Sequence, residues 1–340
     1  MNKDTENKSR SLEIKTKQLF SKYLEDDSIN EICFNGDGSI WTQNSQGIWS
    51  EDKREISNSE MMSFGTPLAS FKEDVLKANK PILSASLNDG ERVQVIISPA
   101  TKKGKVSVTI RKPSKVRYTF EDFKKQGLIK DYNYVYDPNF SDEQLLEASF
   151  KKEDWAIFLP LAVKYGLNLV IAGATGSGKT TFMKSLIDFI PLEERLITIE
   201  DTEEITFHNH KNFVQLFYPS EAKEGDPVTS ATLLKSCLRM KPDRILLAEL
   251  RGGETYDYLN VLNSGHGGSI TSIHANSSKG AFTRLALMIL QNPQGQKLPY
   301  EIIEKNLKDV IDVVIHIKCK NGVRYFSKGY YRGIENEKSE

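Results

Sequence analysis

Gly173-Ala174-Thr175-Gly176-Ser177-Gly178-Lys179-Thr180 matches G-x-x-x-x-G-K-[ST] in full. Before it, Leu167-Asn168-Leu169-Val170-Ile171-Ala172 is a short apolar run with the makeup of a buried strand. After it, Thr181-Phe182-Met183-Lys184-Ser185-Leu186-Ile187 spaces its apolar residues as a helix does. Strand, glycine loop and helix in that order give the pattern its mechanism. The glycines let backbone N–H groups turn inward on an anion, and the helix N-terminus adds its positive end. Lys179 then reaches the β- and γ-phosphates and the Thr180 hydroxyl ligates Mg²⁺, within a binding loop that runs from Gly173 to Thr181. The expected ligand is a nucleoside triphosphate, taken here as ATP with Mg²⁺.

At 340 residues the chain is long for one core, and two domains are expected. Hydrophobic content of 39% against 27% charged residues describes a soluble globular protein. Lys plus Arg and Asp plus Glu both total 46, and a formal net charge of zero argues against a general nucleic-acid coat. No apolar stretch approaches the roughly 20 residues that a membrane-crossing helix needs. The start, Met1-Asn2-Lys3-Asp4-Thr5-Glu6-Asn7-Lys8, is polar and leads into no apolar segment, so secretion is not expected. Cys33, Cys237 and Cys319 lie far apart with no C-x-x-C partner, which disfavours a disulfide framework and a zinc site. A reducing cytoplasm is the expected compartment.

The chain reads as two halves. Residues 30–41 resemble a strand, a glycine turn and a second strand; Gln46-Gly47 leads into a third at Ile48-Trp49, and 59–80 reads as helix. Arg92-Val93-Gln94-Val95-Ile96-Ile97 and Val106-Ser107-Val108-Thr109-Ile110-Arg111 alternate with period two around a Lys103-Gly104 turn. This is an α+β module with a mostly antiparallel sheet, expected over 13–130 after a disordered 1–12. One short helix is expected near 120–126. Residues 131–145 form the linker, and Tyr132, Tyr134 and Tyr136 leave open whether it is a packed strap or a loose tether. From 146 to 332 strands expected at 167–172, 195–200, 212–218, 244–250, 268–274 and 310–317 alternate with helices, the signature of a largely parallel α/β sheet. Asn321-Gly322, between Val313–Ile317 and Val323–Phe326, predicts an antiparallel hairpin at its edge. Residues 333–340 are expected to be disordered.

A phosphate loop alone only binds. Hydrolysis also needs a carboxylate for the metal and another to orient or deprotonate water. Leu196-Ile197-Thr198-Ile199 ends in Glu200, Asp201, Thr202, Glu203 and Glu204, so a strand delivers acidic groups at its carboxyl end, where ligands of α/β sheets collect. Arg244-Ile245-Leu246-Leu247-Ala248-Glu249 is an apolar strand ending in one carboxylate, a Walker-B pattern that places Glu249 beside Thr180 on the metal. Ser264–Asn276 carries His266 and His274 around a glycine-rich turn; no further Cys or His sits at ligand spacing, and His274 is read as sensing the γ-phosphate or a neighbouring subunit.

Loop, acidic box, Walker B and histidine box, in that order, resemble the secretion traffic ATPases of type II and type IV secretion, type IV pili and archaeal flagella. The chain most resembles the VirB-eleven-like ATPases of type IV secretion. Arg239–Arg244, Asp89-Gly90-Glu91-Arg92-Val93-Gln94 and Thr109-Ile110-Arg111-Lys112-Pro113 fit as well, so the likeness spans about residues 15–330. It implies a RecA-like ATPase domain after a smaller α+β domain, a homo-hexameric ring, and a nucleotide lying between the domains. It further implies that Arg92 and Arg111 neutralise phosphate charge, within one subunit or across the ring. Glu204 is the leading candidate for water activation, Glu249 is the Walker-B carboxylate, and Glu200, Asp201 and His274 complete the catalytic set. Partners at the inner membrane, peripheral attachment through them, and no sequence-specific nucleic-acid binding are likewise implied. The absence of paired C-x-x-C motifs, and Thr202 where pilus relatives carry proline, favour the type IV branch over pilus and type II motors. A nucleotide-gated assembly factor is the alternative of another class. A helicase reading is disfavoured by the balanced charge.

Overall fold

The alternating stretches of the N-terminal half pair into one sheet. In the computed structural model, which describes residues 3–44, 47–113, 117–219, 222, 225–320 and 322–336, α1 (Lys3–Leu24) precedes β1 (Ile29–Phe34), β2 (Ile40–Asn44) and β3 (Trp49–Asp52). Then come α2 (Asn58–Phe71), β4 (Ile82–Ser86), β5 (Arg92–Ile97) and β6 (Val106–Arg111). Spatial order is β3-β2-β1-β6-β5-β4, antiparallel throughout. Period-two residues Ile32, Phe34, Val93, Val95, Val108 and Ile110 face Phe20, Met61, Phe64 and Leu68 of the helices in one core.

Two expectations fail here for local reasons. Residues 1–12 are not disordered from Lys3 onward, because α1 brings Leu12, Leu19, Phe20 and Tyr23 onto one buried face. Widely spaced apolar residues in a charged segment hid that stripe. The helix expected over 59–80 stops at Phe71, and β4 follows Pro81; its Ser-Ala-Ser alternation offers little apolar contrast. The turn position Gln46 lies outside the described residues, although β2 and β3 do pair around it.

The chain divides into two compact units, Met1–Val116 and Arg117–Glu340. The boundary expected at 130 is therefore too late. α3 (Phe120–Lys125) belongs to the second unit, with Phe120, Phe123, Leu128 and Ile129 buried in its core and Phe123 edge-on to Phe182 at 5.2 Å. Nor is 131–145 all linker, since α4 (Asp142–Lys151) starts inside it behind a Ser141 capping box. The tyrosine stretch is exposed along its length except at half-buried Tyr136, where it is pinned: the Tyr136 hydroxyl donates to Asp154 at 2.9 Å, and Lys152 Nζ stands 4.7 and 4.6 Å from the Tyr134 and Tyr136 rings.

The rest of the second unit continues with α5 (Trp155–Lys164), β7 (Leu169–Gly173), α6 (Lys179–Ile187), β8 (Leu196–Glu200) and β9 (Phe213–Phe217). Next are α7 (Ser230–Cys237), β10 (Arg244–Leu250), α8 (Glu254–Asn263), β11 (Ile270–His274), α9 (Ser278–Ile289) and α10 (Tyr300–Val310). β12 (Val313–Lys320), β13 (Val323–Phe326), β14 (Tyr330–Tyr331) and α11 (Arg332–Asn336) complete it. The sheet order is β13-β12-β7-β11-β10-β8-β9, with β14 also against β12. β12, β7, β11, β10, β8 and β9 run parallel, so their carboxyl ends share one edge. β13 pairs antiparallel with β12, as the Asn-Gly signal predicts, with Asn321 itself outside the described residues. Along β7, Leu169 and Ile171 face a core with Phe158, Phe182 and Leu186, while Val170 and Ala172 face one with Leu234, Leu262 and Leu285. Helices thus cover both faces, as a buried parallel sheet requires. The expected disorder over 333–340 is overturned as far as Asn336: Arg332 opens α11 and pairs with Asp312 at 2.5 Å. Residues 337–340 lie outside the described residues.

Candidate active site

Gly173 ends β7, and residues 174–178 form the turn before α6. Two glycines are dictated by geometry. A Cβ on Gly173 would lie 2.6 Å from Ser177 Oγ and 2.7 Å from the Ile317 carbonyl, so no side chain fits between the loop and β12. Gly178, the N-cap of α6, has φ of +90°, a left-handed conformation that aims the following N–H groups along the helix start. Lys179 and Thr180 are the first residues of α6; Thr180 and Thr181 are half-buried, Ala174, Thr175 and Gly176 exposed. The arrangement is an anion cradle at a helix N-terminus.

Lys179 is 6% exposed, and burial lowers its pKa, with Glu249 opposing the shift. Its ammonium donates to the Ala174 carbonyl at 3.0 Å and to His274 Nδ1 at 3.2 Å. With Nδ1 accepting, the proton of the neutral ring sits on Nε2, which lies 2.8 Å from Glu249 Oε1. Burial lowers the pKa of His274, Lys179 adds to the shift and Glu249 opposes it, so the ring is neutral near pH 7. Glu249 Oε2 accepts from Arg251 Nε at 2.8 Å, and Arg251 Nη1 reaches Asp201 Oδ2 at 2.6 Å. Burial works against the charge on Arg251, yet the two carboxylates outweigh it and raise its pKa. Lys179, His274, Glu249, Arg251 and Asp201 therefore form one continuous polar chain along the carboxyl edge of β7, β11, β10 and β8. Arg251, which the motif includes without giving it a role, joins the acidic box to Walker B.

Glu200 takes a different place from the one its motif suggests. It is 0% exposed; Oε1 accepts from the Thr198 hydroxyl at 2.9 Å, and Oε2 accepts from the N–H groups of Glu204 and Ile205, each at 2.8 Å. Burial raises its pKa, and these donors pull the other way. Its carboxylate is consumed in holding the acidic turn, so Glu200 positions Glu204. Lys184 of α6 donates to the Glu204 carbonyl at 3.1 Å and ties the turn to the phosphate-loop helix.

Arg92 and Arg111 belong to the first unit, directly opposite each other on β5 and β6, with Arg111 Nε 3.5 Å from Glu31. His266 lies in the loop before β11, its Nδ1 3.2 Å from the Ser264 hydroxyl, apart from the chain of contacts around His274. Sequence reasoning also passed over Arg324 of β13, whose Nε donates to the Ser177 carbonyl at 3.1 Å. Its one signal was an arginine shortly after the Asn-Gly turn.

Mg²⁺ takes hard oxygen ligands, commonly a few from protein and the rest from phosphates and water. Thr180, Glu249 and Asp201 are such donors. Glu249 Oε1 is buried without a properly aligned hydrogen bond, His274 included, an oxygen that a cation would satisfy. The residues fit that ion. Among the described residues no cluster of three or more His, Cys, Asp or Glu could hold a metal unaided, so phosphate oxygens would complete the shell.

A parallel sheet with an anion cradle after one strand and carboxylates on the tips of its neighbours defines a P-loop nucleoside triphosphatase. Residues 135–326 match the family described as Type II/IV secretion system protein. The type IV secretion system protein VirB11 of Brucella abortus biovar 1 (strain 9-941) is 49% identical over 316 residues, 91% of this chain and 87% of that protein. The crystal structure of the VirB11 ATPase from the Brucella suis type IV secretion system, in complex with sulphate, superposes with a TM-score of 0.54 at 43% identity, covering 98% of this chain and all 100% of that one. The pilus retraction motor PilT with bound ADP shares the fold, with a TM-score of 0.60 at 18% identity over 96% of this chain and 86% of its own. The chain belongs to the type II/IV secretion system protein family, and within it to the VirB11-like traffic ATPases of type IV secretion.

Proposed function

We propose that the chain hydrolyses ATP, with Mg²⁺, as a homo-hexamer that powers assembly of a type IV secretion system and transport through it. The observation that carries this reading is the unbroken polar chain from Lys179 through His274, Glu249 and Arg251 to Asp201 at the mouth of the phosphate loop. In it, backbone N–H groups of 174–181 and the Lys179 ammonium hold the β- and γ-phosphates. Thr180 and Glu249 hold Mg²⁺, which when bound offsets phosphate charge. Glu204, on the turn that Glu200 pins, orients the water and takes its proton. Neutral His274 sits between lysine and carboxylate, where it detects whether a γ-phosphate has drawn Lys179 away. Arg92 and Arg111 are assigned to the charge that builds up on the phosphates in the transition state, a task suited to guanidinium groups. Among the described residues no helix is long and apolar enough to cross a membrane, and attachment at the inner membrane is assigned to partner proteins.

The test is a pair of variants, Glu204→Gln and Glu249→Gln, assayed for ATP affinity and turnover. Affinity should persist in Glu204→Gln while turnover falls by about 10²- to 10⁴-fold. Wild-type turnover in both would contradict the assignment. Secretion that survives complete loss of turnover would make nucleotide-gated assembly, rather than hydrolysis, the working step. Solution mass with ATP and Mg²⁺ should be that of six subunits; a monomer under those conditions would remove the ring.

A further inference from the structure

β12 does not stop where the phosphate-loop strand stops. Ile317 pairs with Gly173, the last residue of β7, and β12 runs on to Lys320 before the chain returns as β13. The hairpin therefore overhangs the carboxyl edge of the sheet. Phe326 of β13 packs on Phe182 of α6, ring centroids 5.2 Å apart, which turns that face of the strand onto the phosphate-loop helix. Two residues earlier the same face carries Arg324. Its Nε donates to the Ser177 carbonyl at 3.1 Å, and a Cβ on Gly178 would lie 3.1 Å from Nε and 3.8 Å from Cζ. The guanidinium thus lies against the N-cap of α6.

That position is electrostatically unfavourable in an isolated protein. The helix N-terminus is positive, and Lys179 already places an ammonium there. Arg324 has no ion pair among the described residues, and the one hydrogen bond its guanidinium makes there uses Nε alone. An anion seated in the loop would relieve the conflict and meet the Nη1 and Nη2 donors. Three positive features, the helix end, Lys179 and Arg324, then converge on one negative group.

Resting on the nucleotide reading above, we propose that Arg324 is a further phosphate-contacting residue, which grips the polyphosphate of ATP or ADP while its Nε stays on the Ser177 carbonyl. Nucleotide occupancy is thereby tied to the C-terminal hairpin. Because the contact is to phosphate, it acts on any polyphosphate, with or without a base.

The experiment is calorimetric titration of the full chain in magnesium buffer with ATP, ADP and inorganic tripolyphosphate, for wild type, Arg324→Gln and Arg324→Lys. Glutamine keeps an N–H donor for the Ser177 carbonyl but removes the charge. A purely structural cap would tolerate it. Arg324→Gln should weaken all three ligands by a similar factor of about 10- to 100-fold, with the nucleotide-free melting temperature unchanged. Wild-type affinity for all three would overturn the proposal, as would a loss for ATP with tripolyphosphate untouched, which marks a contact to base or ribose. If the glutamine protein melts early, Arg324→Lys decides. It keeps the charge but lacks the planar fork that holds the carbonyl through Nε while presenting paired N–H groups to phosphate, so several-fold weaker binding supports the assignment and wild-type affinity overturns it. Failure of the wild-type protein to bind either ATP or tripolyphosphate would overturn the nucleotide reading as a whole.

Discussion

Glu200 offers the sharpest separation between a residue that does chemistry and one that holds another in place. Glu200→Ala leaves the N–H groups of Glu204 and Ile205 and the Thr198 hydroxyl without their acceptor beneath a turn where Ile205 is fully buried. An orphaned buried donor costs about 1–3 kcal/mol, so the two backbone N–H groups alone, with a small cavity, give roughly 3–5 kcal/mol. At about 2–4 °C per kcal/mol for a unit of this size, melting should fall by on the order of 10 °C. Glu200→Gln should cost only about 1 kcal/mol, because the amide oxygen can accept from both N–H groups while the Thr198 hydroxyl rotates to accept from the amide nitrogen. Hydrolysis should follow the same order: Glu204 released by the alanine loses about 10²-fold or more through misplacement, whereas the glutamine protein stays within about tenfold of wild type. Phosphate release and thermal melting on the same preparations read both quantities. A glutamine variant that is catalytically dead yet melts like wild type would refute the positioning role, because the carboxylate would then be acting on the reacting atoms. An alanine variant with unchanged melting would refute the claim that it pins the turn.

Three other outcomes follow from the same contacts. Arg244 is 3% exposed, pairs with Glu194 and donates to the Val163 carbonyl at 2.5 Å, so Arg244→Ala should destabilise by about 3 kcal/mol in urea unfolding; a change under about 1 kcal/mol would contradict it. Gly178→Ala forces a Cβ onto a left-handed residue 3.1 Å from Arg324, and should cost about 1–2 kcal/mol of stability together with most ATP affinity; unimpaired binding would show the loop to be plastic. His274 and His316 both have pKa values lowered by burial from 6.5, so the unfolded chain gains protons that the fold refuses as pH drops. Stability should decline below about pH 6.5, less steeply in His316→Gln, while Glu200 and Asp312, whose carboxyls burial raises, act with the opposite sign closer to their ordinary range. Melting temperatures that stay flat from pH 7.5 to pH 5.5 would speak against this linkage.

What could be read in advance was local. The phosphate loop, the buried apolar strands and the Asn-Gly hairpin are set by neighbours a few residues apart, and they stand where the pattern places them. Glu249, Asp201 and His274 come together because parallel strands bring their carboxyl ends to one edge. The misses have longer range. α1 is carried by four apolar residues in a charged helix, and β4 by pairing with β5 rather than by its own contrast. Residues 117–130 join the second unit through aromatic packing on Phe182 and Phe189 that no spacing in 120–126 announces. Glu200 looked like its acidic neighbours, and only burial and the returning backbone of 204–205 distinguish it. Arg324 gained its place through a strand overhang roughly 150 residues from the loop it touches, which spacing arguments do not reach.

The central claim is that the turn around Lys179 grips a triphosphate, and ATP titration of wild type beside Lys179→Ala in magnesium buffer tests it most directly. Wild type should show saturable binding, and the alanine protein, folded by circular dichroism, should bind at least about 100-fold more weakly. Equal affinity in the two proteins would mean that the nucleotide is held elsewhere, and the account built on this loop would be wrong.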